Sequence, residues 1–240
     1  MMDTVLVTGG TKGLGFSISK KLVSQGYRVI VVGRKSSEEC QNWLKSEEGA
    51  AFEPFDFQET SKIHEFCQLI TKKYGRLYGV VNNAALGLDG VLATMHESEI
   101  SKVIKVNVEA PILLTKYLLR PMLINRRGRV INISSIIGST GFNGLAVYGA
   151  TKAALNGFTK SLSREVGKAG ITVNSVAPGY MATSMTEGLE GDKLASIKRR
   201  SPLGELVNVD DVASIVNYLM SEEAKMITGT IVTVDAGSTA

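Results

Sequence analysis

Six short runs in this chain are apolar at almost every position, and they limit the possible folds more than any other feature. They are Thr4–Thr8, Arg28–Val32, Leu77–Val81, Arg129–Ser134, Ile171–Val176 and Thr230–Val234, with a weaker run at Ala51–Pro54. A strand exposed on one face alternates apolar and polar residues, and these runs do not. They read as strands buried on both faces, as in a parallel sheet covered by helices. The longer segments between them carry helical spacing, as in Ile18, Leu22 and Val23, or Ile63, Phe66, Leu69 and Ile70. Strand–helix–strand order repeated along the chain means βαβ crossovers. The prediction is an α/β fold: a single-domain Rossmann-type doubly wound sheet of about seven parallel strands with helices on both faces. Residues 1–240 show no linker, composition break or repeat, so one domain is expected to span them. Tyr180–Pro202, which holds Gly188 and Gly191, reads as a flexible stretch and a candidate lid.

Several function classes fit poorly. The net charge is only +4 over 240 residues and no dense basic stripe appears, which argues against nucleic acid. No apolar run approaches the ~18 residues a membrane helix needs. Met1 and Met2 lead straight into the first strand without a signal core, so a cytoplasmic location is expected. Cys40 and Cys67 lack metal-ligand spacing and read as reduced packing thiols. His64 and His96 read as surface residues, so no metal site is expected.

The first strand ends in Thr8-Gly9-Gly10-Thr11-Lys12-Gly13-Leu14-Gly15 and a helix follows. Glycines here let the backbone approach a pyrophosphate, and a helix N-terminus offers free N–H groups and a positive dipole end. A glycine cluster alone also fits a plain turn; its position between the first buried strand and a helix favours a dinucleotide. At the end of the second strand, NAD sites usually place a carboxylate for the ribose 2′-hydroxyl. This chain has Gly33-Arg34-Lys35 instead. Arg34, with Lys12 in the glycine loop, suits a 2′-phosphate, so NADP(H) is the expected cofactor.

Tyr148 and Lys152 stand four residues apart, on one face if the segment is helical. An unperturbed tyrosine titrates near ~10, too high for ready proton exchange at neutral pH. A nearby ammonium should lower that value and make the phenol a general acid or base. Ser134 and Ser135 end the apolar strand Val130-Ile131-Asn132-Ile133, at the strand end where ligands bind in open α/β sheets. Ser135 lies thirteen residues before Tyr148, and a short loop could bring the two together. Each element alone has a structural explanation; together they point to a carbonyl or alcohol site.

These motifs resemble the short-chain dehydrogenase/reductase family over essentially the whole chain. The glycine loop has its T-G-x-x-x-G-x-G form. Asn82-Asn83-Ala84-Ala85 resembles its N-N-A-G motif, with Ala85 in place of the glycine. The resemblance implies a catalytic set of Asn107, Ser135, Tyr148 and Lys152. It implies cofactor contacts from Gly9, Thr11, Lys12, Gly13, Leu14, Gly15, Arg34, Asp56, Phe57, Asn82, Ala84, Tyr148, Lys152, Pro178, Gly179 and Thr183. In these roles Asp56-Phe57 holds the adenine and Pro178-Gly179 with Thr183 meets the nicotinamide end. Ser135 and Tyr148 hold the substrate oxygen, Lys152 binds the nicotinamide ribose, and Asn107 holds a water.

Within the family the chain most resembles the 3-oxoacyl-[acyl-carrier-protein] reductases. The segments concerned are Arg129–Ser135, Ser163–Val166, Ile171–Asn174, Ser201–Gly204 and Ile227–Gly229. That implies NADPH-dependent reduction of a 3-oxoacyl thioester, linked to an acidic acyl carrier protein or to CoA. A small ketone, polyketide, sugar or other secondary-metabolite substrate is the alternative. Arg126, Arg127 and Arg129, or Lys198, Arg199 and Arg200, could supply a basic rim near the cleft for the carrier, and they read equally well as solvated loop charges. One contrary sign is Ala169, at a position often basic in carrier-dependent relatives. The family usually forms homotetramers, and small residues along Ala146–Val166 fit helix pairing between subunits as well as packing on the chain's own sheet.

Overall fold

The structure is a computed structural model that describes residues 2–181 and 191–240. Seven strands form one parallel sheet: β1 (Thr4–Thr8), β2 (Arg28–Gly33), β3 (Ala50–Pro54), β4 (Gly79–Asn82), β5 (Gly128–Ile133), β6 (Ile171–Pro178) and β7 (Ile231–Val234). Their order is β3-β2-β1-β4-β5-β6-β7. Every apolar run of the sequence is one of these strands. Among the described residues the helices are α1 (Gly13–Ser24), α2 (Glu38–Ser46), α3 (Ile63–Tyr74), α4 (Glu97–Ile104), α5 (Ala110–Asn125), α6 (Ile137–Thr140), α7 (Ala146–Val166), α8 (Gly191–Arg200) and α9 (Val209–Met220). The second half of the expected flexible stretch is therefore the helix α8; residues 182–190 lie outside the described residues.

The sheet is buried on both faces. One apolar layer joins α1, α2 and α9 to the sheet through Ile18, Leu22, Cys40, Val212 and Val216. The other joins α3, α5 and α7 through Ile63, Ile70, Leu114, Leu118 and Leu162. Side chains such as Leu6, Ile30 and Ile131 are fully buried, each contributing about 1.5–3 kcal/mol relative to exposure. Caps fix several helix starts. Ser37 accepts from the Cys40 N–H at α2 (3.2 Å), and Asn208 from the Asp210 N–H at α9 (3.0 Å). His96 caps α4, and both it and His64 are exposed. Cys40 and Cys67 are buried free thiols.

Strand polarity gives the sheet two unlike edges. The order reverses between β1 and β4, the point at which open α/β sheets leave a crevice beyond the strands' C-terminal ends. At the opposite edge the side chains pair with one another around a hollow lined by Asp3, Tyr27, Tyr78, Arg127 and Glu222. Tyr27 and Tyr78 stack at 6.1 Å, and both hydroxyls donate to the Met220 carbonyl. Arg127 bridges Asp3 (2.7 Å) and Glu222 (2.9 Å). The Arg129 side chain is only 3% exposed and lies 3.5 Å from Glu222. This corrects one half of the expected basic rim. Arg126, Arg127 and Arg129 stand at the start of β5, so strand direction carries them away from the crevice, and two of the three are paired or buried.

Candidate active site

The turn after β1 is built for close approach. Gly9 and Gly13 have φ of +63° and +53°, a region L side chains rarely adopt. A Cβ on Gly15 would strike the Gly9 carbonyl oxygen and sit 2.5 Å from Asn83 Nδ2. Asn83 in turn donates to the Thr8 and Gly9 carbonyls (2.9 and 3.2 Å). The Thr8 hydroxyl donates to the Val81 carbonyl and accepts from the Asn83 and Ala84 N–H groups. The glycine loop and the turn after β4 are thus one hydrogen-bonded unit. No side chain caps α1 and its first turn holds no acid, so its leading N–H groups and positive dipole end are left for an anion.

Around this cradle the expected cofactor residues fall into two groups. Lys12, Arg34 and Lys35 are exposed and take part in no ion pair among the described residues. Thr11 is buried against Gly33, and Leu14 is in the core. Asp56 accepts from the Gln58 N–H (3.0 Å), which fixes its carboxylate just past β3, while Phe57 is buried with its ring 5.1 Å from Phe55. Asn82 turns its side chain into the interior instead, donating to Thr115 and Asn132. The side chain that meets the glycine loop is Asn83. Pro178 accepts from the Ile136 N–H and Gly179 donates to the Val234 carbonyl. Thr183 lies outside the described residues.

The catalytic candidates meet at the end of β5. Tyr148 and Lys152 share one face of α7, and Lys152 Nζ lies 5.5 Å from the Tyr148 ring centre. Lys152 is 2% exposed and donates to the Ile133 carbonyl at 2.9 Å. Ser135 accepts from the Ile137 N–H (3.2 Å) and hydrogen-bonds Tyr148. Asn107 sits in a π-helical turn, Lys105–Glu109, between α4 and α5, a local irregularity common at functional sites. Its Oδ1 accepts from the Leu86 N–H (2.8 Å), and its Nδ2 donates to the Leu86 carbonyl (2.9 Å) and to Thr151 (3.1 Å). Both amide protons are spent, so Asn107 would hold a water through acceptors alone. Thr151 closes the chain by donating to the Tyr148 carbonyl (2.7 Å).

The electrostatics correct one expectation. Tyr148 is held above its ordinary range, first by burial, with Asp89 and Tyr180 adding to the rise and the Ser135 hydrogen bond opposing it. Burial pushes Lys152 down to about 8. Four-residue spacing brings the two side chains onto one face, but it does not report desolvation, and here the ammonium is turned toward the Ile133 carbonyl. Tyr180 was not singled out from the sequence. Its hydroxyl is buried without a hydrogen-bond partner among the described residues, and its ring meets Phe142 edge-on at 5.9 Å. In the sequence it stood only as the first residue of the stretch Tyr180–Pro202. Burial, with Asp89 beside it, holds Tyr180 above its ordinary range, and Arg200 at the end of α8 opposes that rise. Of the second half of the expected basic rim, Arg200 is therefore within electrostatic reach of Tyr180.

Known proteins resemble the chain along nearly its full length. A family model described as "Enoyl-(Acyl carrier protein) reductase" matches residues 9–239. The 3-oxoacyl-[acyl-carrier-protein] reductase FabG of Salmonella typhimurium is 38% identical over 234 residues, covering 97% of this chain and 95% of that one. The FabG of Escherichia coli is 37% identical with the same coverage, and that of Chlamydia trachomatis 34% over 238 residues, covering 98% and 96%. Among solved structures, ElxO with NADP bound superposes with a TM-score of 0.92 at 32% identity, covering 99% of both chains. A single-substitution variant of the actinorhodin polyketide ketoreductase with NADPH gives 0.91 at 30%, covering 99% and 97%.

Proposed function

The chain belongs to the short-chain dehydrogenase/reductase family and is an oxidoreductase; we propose that it reduces the 3-carbonyl of a 3-oxoacyl thioester, carrier- or CoA-linked, with NADPH. The observation that carries this reading is one convergence: Ser135, Tyr148 and Lys152 meet at the end of β5, on the same sheet edge as a glycine cradle flanked by exposed cations that have no ion-pair partner among the described residues. FabG relatives and two neighbours solved with NADP or NADPH support the substrate and the cofactor.

The residues present fit such a dinucleotide. The α1 N–H groups over Gly13–Gly15 would take its pyrophosphate, Lys12 and Arg34 its 2′-phosphate, and Asp56 its adenine. Pro178 and Gly179 would flank its nicotinamide end, and Lys152 would take the ribose. Bound there, the cofactor supplies the hydride. Ser135 and Tyr148 donate hydrogen bonds to the substrate carbonyl oxygen, where negative charge grows during reduction. Tyr148 Oη then gives its proton to that oxygen. A phenol held above its usual range keeps this proton at neutral pH and so acts as an acid rather than a base. The Lys152 ammonium offsets the phenolate left behind. Asn107 fixes Leu86 and Thr151, and through Thr151 the backbone at Tyr148.

The exposed Lys198, Arg199 and Arg200 on α8 suit an acidic carrier at the mouth. We read the assembly as a homotetramer. Ala150, Ala153, Ala154 and Gly157 are exposed on α7, and an apolar groove of about 340 Å³ runs along α4 and α7 past Ile104 and Val147. No helix among the described residues is long and apolar enough to cross a membrane, and the cytoplasm suits a reductase of this kind. A polyketide or small ketone is the second reading, favoured by the ketoreductase neighbour and by Ala169.

The test follows NADPH oxidation by absorbance with acetoacetyl-CoA, with NADH in parallel and Tyr148→Phe as control. Turnover with NADPH well above NADH, abolished in Tyr148→Phe with NADPH binding nearly intact, is expected. Substantial activity in Tyr148→Phe overturns the catalytic assignment. NADPH binding without turnover of the thioester overturns the substrate.

A further inference from the structure

Helix α7 carries Tyr148 and Lys152 and packs on β5 and β6. Apolar contact between a helix and a sheet is non-directional and sets the helix's axial position only loosely. Here the sheet-facing side of α7 also makes directional bonds. Asn132 Nδ2 donates to Thr159 Oγ1 at 2.8 Å, and Ser175 Oγ donates to Asn156 Oδ1 at 3.2 Å. Lys152, Asn156 and Thr159 recur at four- and three-residue spacing, which puts them on one face. Asn132 also accepts from Asn82 Nδ2 at 2.8 Å, and Asn82 donates on to Thr115 at 3.0 Å. Thr115, Asn82, Asn132 and Thr159 are each 4% exposed or less. The result is one buried polar ladder from α5, across the ends of β4 and β5, to α7. Its central rung, Asn132, directly precedes Ile133, whose carbonyl holds Lys152.

We propose that Asn132 and Thr159 are positioning residues for the reduction: their buried hydrogen bond, with the ladder behind it, fixes the axial setting of α7 and so places Tyr148 and Lys152 against the end of β5. The proposal rests on the catalytic roles assigned above. A helix rises about 1.5 Å per residue, so a slip of under one residue moves Tyr148 Oη by about 1 Å, a displacement that can cost on the order of 100-fold in rate. The ladder does not face the glycine loop, so the adenosine end of the cofactor site is untouched.

Thr159→Val keeps the shape and removes the acceptor, and Thr159→Ser restores it. In Thr159→Val the expected kcat is at least about tenfold lower, with a shifted pH profile and an unchanged Kd for 2′,5′-ADP; Thr159→Ser recovers most of kcat. A merely structural Thr159 would lower the melting temperature and leave kcat per folded molecule and the pH profile alone, and that result overturns the proposal. Should Thr159→Val not fold, Asn156→Ala removes the neighbouring half-buried anchor and is expected to lower kcat by about two- to fivefold; kcat equal to wild type in this variant overturns the proposal as well. Tyr148→Phe separates the two levels. An active Tyr148→Phe removes the catalytic reading and the proposal with it. An inactive Tyr148→Phe beside a fully active Thr159→Val removes the proposal alone.

Discussion

Lys152 should weaken the protein that it equips for catalysis. Its ammonium is buried, and burial holds its pKa at about 8 against an ordinary 10.5. Each pKa unit corresponds to about 1.36 kcal/mol, so at pH 7, where folded and unfolded chains both carry the proton, the charge costs the fold about 3 kcal/mol. The sign follows from proton counting. Between about 8 and 10.5 the unfolded chain holds the proton and the folded chain has released it, so this residue's contribution rises with pH. Buried tyrosines such as Tyr27, Tyr148 and Tyr180 sit above their usual range and act the other way as they approach ionisation. Comparing wild type with Lys152→Met at each pH cancels them. Methionine is close in volume, and the Ile133 carbonyl loses one donor, which takes back about 1 kcal/mol or more. Urea denaturation of the ligand-free protein should find Lys152→Met the more stable at pH 7. The gap should narrow by about 2 kcal/mol by about pH 9.5, because the folded chain has by then traversed about 1.5 pKa units that the unfolded chain has not. A gap that stays constant across this range would refute the argument. Lys152→Met should also have no measurable turnover.

Two further outcomes follow from the cradle. Gly15→Ala forces a Cβ onto the Gly9 carbonyl and toward Asn83; it should cost about 1–3 kcal/mol by thermal or chemical denaturation and abolish NADPH binding by calorimetry, and unchanged Tm and Kd would contradict the packing described. Arg34→Glu should weaken NADPH binding by about ten- to a hundredfold and leave NADH binding equal or better, read as the ratio of kcat/KM for the two cofactors; an unchanged ratio would remove Arg34 from the 2′-phosphate site.

The strands were legible because burial on both faces demands unbroken apolar runs, and strand–helix alternation then left few topologies. Tyr148, Lys152 and Ser135 were legible because a helical repeat and a strand end suffice to bring them together. Asn132 and Thr159 were not, since an isolated Asn in a strand and a Thr in a helix pair only once the layers are stacked. Asn107 matched a motif, yet its bonds to Leu86 and Thr151 depend on a π-helical turn that has no sequence period. Arg129 read as a surface cation because its partners, the Ser221 carbonyl and Glu222, lie 92 and 93 residues away. Strand polarity alone places Arg126–Arg129 at the edge remote from the site, because they stand where β5 begins. The pKa of Tyr148 ran against expectation because spacing encodes neighbours and not solvent.

The two edges of the sheet differ in how their charges are spent. At the N-terminal edge Arg127 is matched by Asp3 and Glu222 at contact distance, which reduces its field beyond the surface. At the C-terminal edge Lys12, Arg34 and Lys35 have no such matching partner among the described residues. Those cations draw a multiply charged anion toward the glycine loop, and its capture is faster in dilute buffer and slows as salt shortens their reach.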